Sequence, residues 1–419
     1  MTVDDFHAHT KTPLPQKDGT MSVQCNVIYR HVEGTGLDLD PSNPNGPLIP
    51  AKFFFSLAEP FLQRNGIVLR APGRDGVAKH MSDVLQPYGG RRSQRSANPV
   101  TMAGVELMKS LSNGFQTKKE MRQVLVELVA DFGVYLKHQC LMITGDYHAY
   151  EAELEVLRDD PALFGRIVPI PGAFHVGLNA QEGVFHWFSG ILEPLWREVS
   201  GKGFACPLPP LQRKYVLDLF CRGWELCREG CIRSMRDQRR CPVEVAVLTK
   251  LFDDLIPVAL DLYAVYLLGS MEDYECILLR GLELCIQLGK HHYVSVVLRF
   301  VATVQHWREK QPALYECFSK NMHCWTEEPV ELFHAAVRHI AEKQRTSMAL
   351  ADAINTHPVL KENLEDWVKE LGGGIDSGGF CVDHIPGAAE KMSKAIGALF
   401  ERVLKTGERC VFDEGVWRS

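Results

Sequence analysis

The residues most able to do chemistry are acids at the ends of short apolar runs. Asp4 and Asp5 stand near the end of the first β-rich run, MTVDDF, and Asp146 closes the run LMITGD at 141–146. If the two runs are parallel strands of one sheet, these acids share its carboxyl edge, where open α/β sheets bind ligands. Carboxylates gathered at one point repel unless they share a proton or hold a cation, and hard oxygen donors select Mg2+ or Mn2+. Asp146 also has a plainer use, as the cap of a helix starting at Tyr147. Strand alternation sends Asp4 and Asp5 to opposite faces, and the sequence leaves open which one meets Asp146.

Cys221, Cys227, Cys231 and Cys241 form a second grouping, with Cys227 and Cys231 one helical turn apart. Zinc sites usually show a CxxC or HxxxH pair, and none accompanies these four, so buried structural thiols compete with a zinc site. Arginines cluster twice, as Arg91, Arg92 and Arg95 in a Gly-rich stretch and as Arg233, Arg236, Arg239 and Arg240 in RSMRDQRR. Either run can meet nucleic-acid phosphates or simply be a solvated face. A Gly-x-Ser-x-Gly elbow, a GxxxxGK[ST] phosphate loop and an HExxH helix are all missing, which removes support for those enzyme classes.

The elements that must position these residues change character along the chain. The first 60 residues hold three β-rich runs, MTVDDF, SVQCNVIYRHV at 22–32 and IPAKFFFSL at 49–57, separated by turn chemistry such as PSNPNGP. Residues 71–100 carry Gly, Pro and Arg without sustained periodicity and read as a surface loop or a lid. From Thr117, Met121, Val124, Leu125, Leu128, Val129, Phe132 and Tyr135 recur at helical spacing, predicting a helix of about 18 residues. LMITGD, the helical HAYEAELEVL and RIVPIPG at 166–172 then read as a βαβ unit with buried parallel strands.

Beyond Phe174 helical patterns dominate, at 180–199, 211–235, 243–268, 272–288, 291–309 and 328–342, broken by stretches such as GKGFACPLPP. Apolar spacing at Val216, Leu217 and Phe220 and at Leu248, Leu251, Phe252 and Leu255 predicts one packed bundle. GGGIDSGGF reads as a flexible joint before a last helix at 386–404. Trp187, Trp196, Trp224, Trp307 and Trp325 lie in helical patterns and read as core rather than as base-stacking platforms.

Composition excludes several broad classes. With 46% hydrophobic and 23% charged residues the chain is neither disordered nor collagen-like. Thirteen scattered cysteines do not make a disulfide scaffold and point to reduced thiols inside a cell. The first residues lack an apolar leader and no apolar run reaches the roughly 20 residues of a membrane helix. A net charge of -6 supplies no overall field toward DNA, so any DNA contact needs a local patch.

TVDDFHAHT, MITGDYHAYEAEL followed by VPIPGAFHVGLN, and HHYVSVVLRFVATVQHWREKQPALYECF with EEPVELFHAAVR resemble transposon-derived proteins. Those proteins are similar to DDE-type transposases, close in pattern to the Mutator and hAT groups, and the likeness runs as spaced islands over about residues 1–345. It implies an α/β fold: an RNase H-like mixed-sheet core, residues 1–199, interrupted by a large all-α insertion at 200–325. The core would return at 326–371 with the helix bearing the third acid, and 372–419 would hold the joint and final helix. The resemblance assigns Asp4 (favoured over Asp5), Asp146 and Glu331 as the acids that bind two Mg2+ or Mn2+ ions, with His175 near the active site. Helical spacing puts Glu331, His334 and Arg338 on one face, making Arg338 a phosphate contact, while Glu327 and Glu328 read as first-turn acids complementing their own helix dipole.

The implied activity is metal-dependent cleavage and strand transfer at DNA phosphodiesters. The implied partners are transposon-end or target DNA and a second copy of the chain, with no membrane, in an intracellular, nuclear setting. Met1 stands almost at the first strand, so the sequence reading expects no separate DNA-binding domain before the core. The alternative is a catalytically degenerate, domesticated transposase scaffold that serves as a DNA- or protein-binding module.

Overall fold

A computed structural model describes residues 2–6, 24–30, 44, 45, 105–111, 117–201, 203, 210–238, 243–268, 270–322, 327, 330 and 387–406. These fall into two compact units, one holding the described residues up to 175 and those from 295 to 330, the other holding 176–294 and 387–406.

The first unit is built on a five-stranded sheet. Its strands are β1 (Thr2–Phe6), β2 (Gln24–Arg30), β3 (Val105–Leu111), β4 (Leu141–Gly145) and β5 (Ile167–Pro171), in the order β3-β2-β1-β4-β5. β1 pairs antiparallel with β2 and parallel with β4, β2 is antiparallel to β3, and β4 is parallel to β5. β4 and β5 are buried at every position, as parallel strands covered on both faces must be. Pro169 and Pro171 cannot donate ladder hydrogen bonds, and among the described strands they sit on the edge one, where the lost donors face no described partner strand. The sequence run at 49–57 lies outside the described residues, and the third described strand is β3, which periodicity did not single out.

Helix α1 (Lys118–Asp131) starts at a capping box in which Thr117 and Glu120 satisfy each other's backbone N–H groups. Its Met121, Val124, Leu125 and Leu128 pack with Leu141 and Ile143 of β4 and with Ala149, Ala152, Val156 and Leu157 of α2 (Tyr147–Asp159) in one core. The predicted 18-residue helix is shorter in the structure. After Asp131 the chain passes Gly133 into a 3-10 turn at Tyr135–Lys137, and Val134 is 79% exposed. The apolar spacing past Phe132 therefore does not continue the buried stripe. A four-residue helix, α3 (Pro161–Phe164), leads into β5.

The second unit is helical. α4 (Ala173–Ser200) begins in the first unit, kinks at Phe188 and carries Pro194, and most of its length lies here. α5 (Pro210–Asp237) is followed by α6 (Val243–Lys250), a π-helical turn (Leu251–Leu255), α7 (Ile256–Leu268) and α8 (Met271–Gln287). The π turn corrects the single helix expected at 243–268. The widened turn is matched by what its two acids do: Asp253 accepts from Trp224 Nε1 at 2.7 Å and Arg228 Nε at 2.7 Å on α5, while Asp254 pairs with Lys250 and with Arg280 of α8. The run of chain then continues as α9 (His291–Lys310) and α10 (Pro312–Asn321), the first crossing back into the first unit.

The final helix, α11 (Ala388–Thr406), packs along α5, where Trp224 stacks on Phe400 at 4.9 Å and on Phe252 at 5.6 Å. Trp196, Trp224 and Trp307 are buried, as core residues should be. Trp325 lies outside the described residues.

Asp261 on α7 is 1% exposed, and neither carboxyl oxygen has a hydrogen-bond partner among the described residues. Burial raises its pKa from 3.8 to about 7. The folded form thus holds a proton that the unfolded chain releases, so stability is greatest below the ordinary carboxylate range and falls as pH rises from about 4 to about 7. Relative to Asp261→Asn, the wild type should lose urea midpoint between pH 5 and pH 8; an unchanged difference between the two proteins contradicts this.

Candidate functional site

The site is built at the carboxyl ends of β1, β4 and β5. Thr2 of β1 stands opposite Thr144 of β4 in the parallel ladder. In sequence Asp4 stands two residues beyond Thr2 and Asp146 two beyond Thr144, whereas Asp5 stands three beyond Thr2. Asp146 has extended backbone and its Oδ1 accepts the Ala149 N–H at 2.9 Å, so it caps α2. A cap uses one lone pair of one oxygen, and the rest of the carboxylate is not consumed by it. Gly172 N–H donates to Gly145 O at 2.8 Å, tying the end of β5 to the residue just before Asp146.

Glu327 is fully buried at this edge. Its Oε2 accepts the Phe174 N–H at 3.2 Å and its Oε1 lies 3.0 Å from His175 Nδ1. Phe174 and His175 open α4, where unsatisfied N–H groups and the helix dipole favour a negative charge. The backbone approach is so close that a Cβ at Gly172 would overlap the Glu327 carboxylate, which explains glycine there. His175 is 21% exposed, with the Phe174 ring set edge-on to it at 5.5 Å. The Val330 N–H donates back to Glu327 O at 3.0 Å.

Reading Glu327 as a first-turn acid for its own helix therefore needs correction. Its carboxylate serves the N-terminus of a helix 153 residues upstream. No spacing in the sequence signals so distant a partner. The nearest hint is Gly172 itself, placed between the strand and the helix.

Two further contacts hold the returning chain to the sheet unit. Arg299 of α9, 7% exposed, pairs with Glu151 of α2 at 2.6 Å, and Trp307 Nε1 donates to Pro44 O at 2.6 Å. Beneath the site, Glu153 on α2 is fully buried with both oxygens lacking hydrogen-bond partners among the described residues. Burial first, and the nearby charge of Asp146 as well, push its carboxyl well above the usual range.

The other residues singled out in the sequence fare differently. Asp4 is described through its backbone on β1 only, and Glu331, His334, Arg338, Arg91, Arg92, Arg95, Arg239, Arg240 and Cys241 lie outside the described residues. Arg233 and Arg236 are exposed near the end of α5, in the second unit. Cys221, Cys227 and Cys231 are free thiols, and burial holds the Cys221 thiol well above its ordinary range. Among the described residues no group of three or more His, Cys, Asp or Glu side chains stands ready to hold a metal ion. No helix among them is long and apolar enough to cross a membrane.

No family model matches the chain, and neither the curated proteins nor the solved structures hold a match.

Gly172→Ala should push Glu327 off the α4 N-terminus and cost about 1–3 kcal/mol, the usual penalty of overpacking. Gly190→Ala, on the same helix with nothing within 4 Å of the added Cβ, should be neutral or stabilising. Equal denaturation midpoints for the two variants would contradict the placement of Glu327. Glu153→Gln should gain stability over wild type as pH rises above the ordinary carboxylate range, because the folded wild type prefers the protonated acid. Parallel pH dependence of wild type and variant would argue against a buried, unpartnered carboxyl.

Proposed function

We propose that the chain is a transposase-like protein of the DDE kind, with an RNase H-like core, acting on DNA phosphodiesters. The observation that carries this reading is the parallel pairing of Thr2 on β1 with Thr144 on β4, from which Asp4 and Asp146 each stand two residues on toward the carboxyl ends of their strands. The strand order β3-β2-β1-β4-β5, with β2 antiparallel to β1 and β4 parallel to it, supports the RNase H-like assignment. Glu327 supports it further, because it brings the chain back to the end of β5 four residues before Glu331.

On this reading Asp4, Asp146 and Glu331 hold the divalent cations, and the donor set fits: all are hard carboxylate oxygens suited to Mg2+ or Mn2+, and the Asp146 cap leaves one oxygen uncommitted. The cations, when bound, supply Lewis-acid stabilisation of the charge that develops at the phosphodiester. His175 moves a proton at the reacting oxygens. Arg338 and the arginine runs at 91–95 and 233–240 are the proposed phosphate contacts, each neutralising backbone charge without reading sequence. A second copy of the chain is the proposed further partner, and the nucleus the proposed location.

The use of Asp146 as a cap favours a second reading, a degenerate scaffold that binds DNA or protein without cutting. The two separate cleanly by experiment. Asp146→Asn keeps a good cap and should leave stability within about 0.5 kcal/mol, whereas Asp146→Ala should cost about 1 kcal/mol. In a Mn2+-supported cleavage assay on a DNA duplex, wild type should cut and both variants should fall to background. Equal background activity in all three proteins would leave the scaffold reading.

A further inference from the structure

We propose that Cys227 and Cys231 on α5 form a dithiol modification site, which a hydroperoxide closes into a disulfide across one helical turn. The site lies in the helical unit and is independent of the reading given to the sheet edge.

The two cysteines are four residues apart on α5, so they lie on one face of the helix. Both are free thiols, and their side chains are hydrogen-bonded to one another. Cys227 is half-buried, whereas Cys231 is only 8% exposed. α11 packs beside the same stretch: at Gly223 it comes so close that a Cβ would overlap Met392, and the next residue, Ser393, hydrogen-bonds the Cys227 sulfur. As a thiol, Cys227 donates to Trp224 O at 3.6 Å. Once ionised, its sulfur accepts from the Cys231 thiol and from the Ser393 hydroxyl, and these bonds hold Cys227 below the ordinary thiol range. The bond to Cys227, together with burial, pushes Cys231 up. The pair is thus divided into an attacking thiolate and a protonated partner beside it. Burial raises the thiols of Cys221 and Cys285 instead.

In the first step the Cys227 thiolate attacks one peroxide oxygen. The S–O bond forms as the O–O bond breaks, and the departing oxygen takes up a proton, leaving a sulfenic acid on Cys227. The Cys231 sulfur then gives up its proton and attacks the Cys227 sulfur. The S–S bond forms, the S–O bond breaks, and the oxygen leaves as water. The dithiol loses two electrons and two protons, and the peroxide is reduced. Neighbours one turn apart stand about 5–6 Å apart at Cβ, whereas a disulfide asks for about 3.5–4.5 Å. The turn must tighten for the bond to close, so the disulfide is readily reduced again by a small dithiol.

The test uses the full chain, reduced, treated with hydrogen peroxide, alkylated and digested with trypsin. Cleavage after Arg228 puts Cys227 and Cys231 on separate peptides. The expected result is loss of alkylation at both positions, the two peptides joined, and recovery of both after dithiothreitol. In Cys231→Ser, Cys227 should stop at the sulfenic acid and be captured by dimedone; in Cys227→Ser, Cys231 should keep its full alkylation. In the wild type, Cys227 should lose alkylation several-fold faster in native buffer than in urea. Full alkylation of both cysteines after peroxide overturns the proposal, as does oxidation of Cys231 as readily in Cys227→Ser as in the wild type. Equal rates in native buffer and urea also overturn it, because sequence spacing alone would then account for the linkage. If a variant does not fold, the wild-type comparison between native buffer and urea decides.

Discussion

A single buried carboxylate, that of Glu327, ties together segments that the chain keeps far apart. It meets the unsatisfied N–H groups at the start of α4, the ring of His175 and the bare backbone of Gly172 at one point beyond β5. Burying a charge without partners is costly, so the arrangement holds only because every oxygen finds a donor and a helix dipole favours the sign. Once it is in place, the end of β5 is fixed to the end of β4 through the Gly172–Gly145 hydrogen bond, and Asp146 is positioned from there. The Arg299–Glu151 pair makes a separate connection, between α9 and α2.

The neighbouring acid Glu153 shows the opposite solution. It lies on α2, as deeply buried as Glu327, yet finds no donor among the described residues, and burial pushes its carboxyl well above the usual range. Two buried glutamates in one unit thus have different surroundings, one ending at a helix N-terminus with donors to both oxygens and the other without one among the described residues. Asp261 in the helical unit repeats the second pattern.

Much of the sheet region was legible in the sequence because its signals are local. The apolar runs LMITGD and RIVPIPG became β4 and β5, parallel and buried, since only a helix-covered pair of strands accommodates such continuous apolar residues. Asp146 was visible as both strand end and helix cap, and it does cap α2. The remaining features depend on partners distant in sequence. The strand β3 gains its place from pairing with β2, and the π turn at Leu251–Leu255 coincides with two aspartates that answer to different helices. The role of Glu327 is the extreme case, because helical spacing describes only a residue's own helix and its partners lie on another.

We propose that Asp4, Asp146 and Glu331 form one divalent-cation site at the carboxyl edge of the sheet. An anomalous-difference map from crystals of the full chain soaked in Mn2+ tests it most directly. The expected result is a peak bounded by the carboxylates of Asp4, Asp146 and Glu331, lost in Asp146→Asn, with Glu327 still on Phe174 and His175. A map without that peak, or with Glu331 pointing away from Asp146, would contradict it.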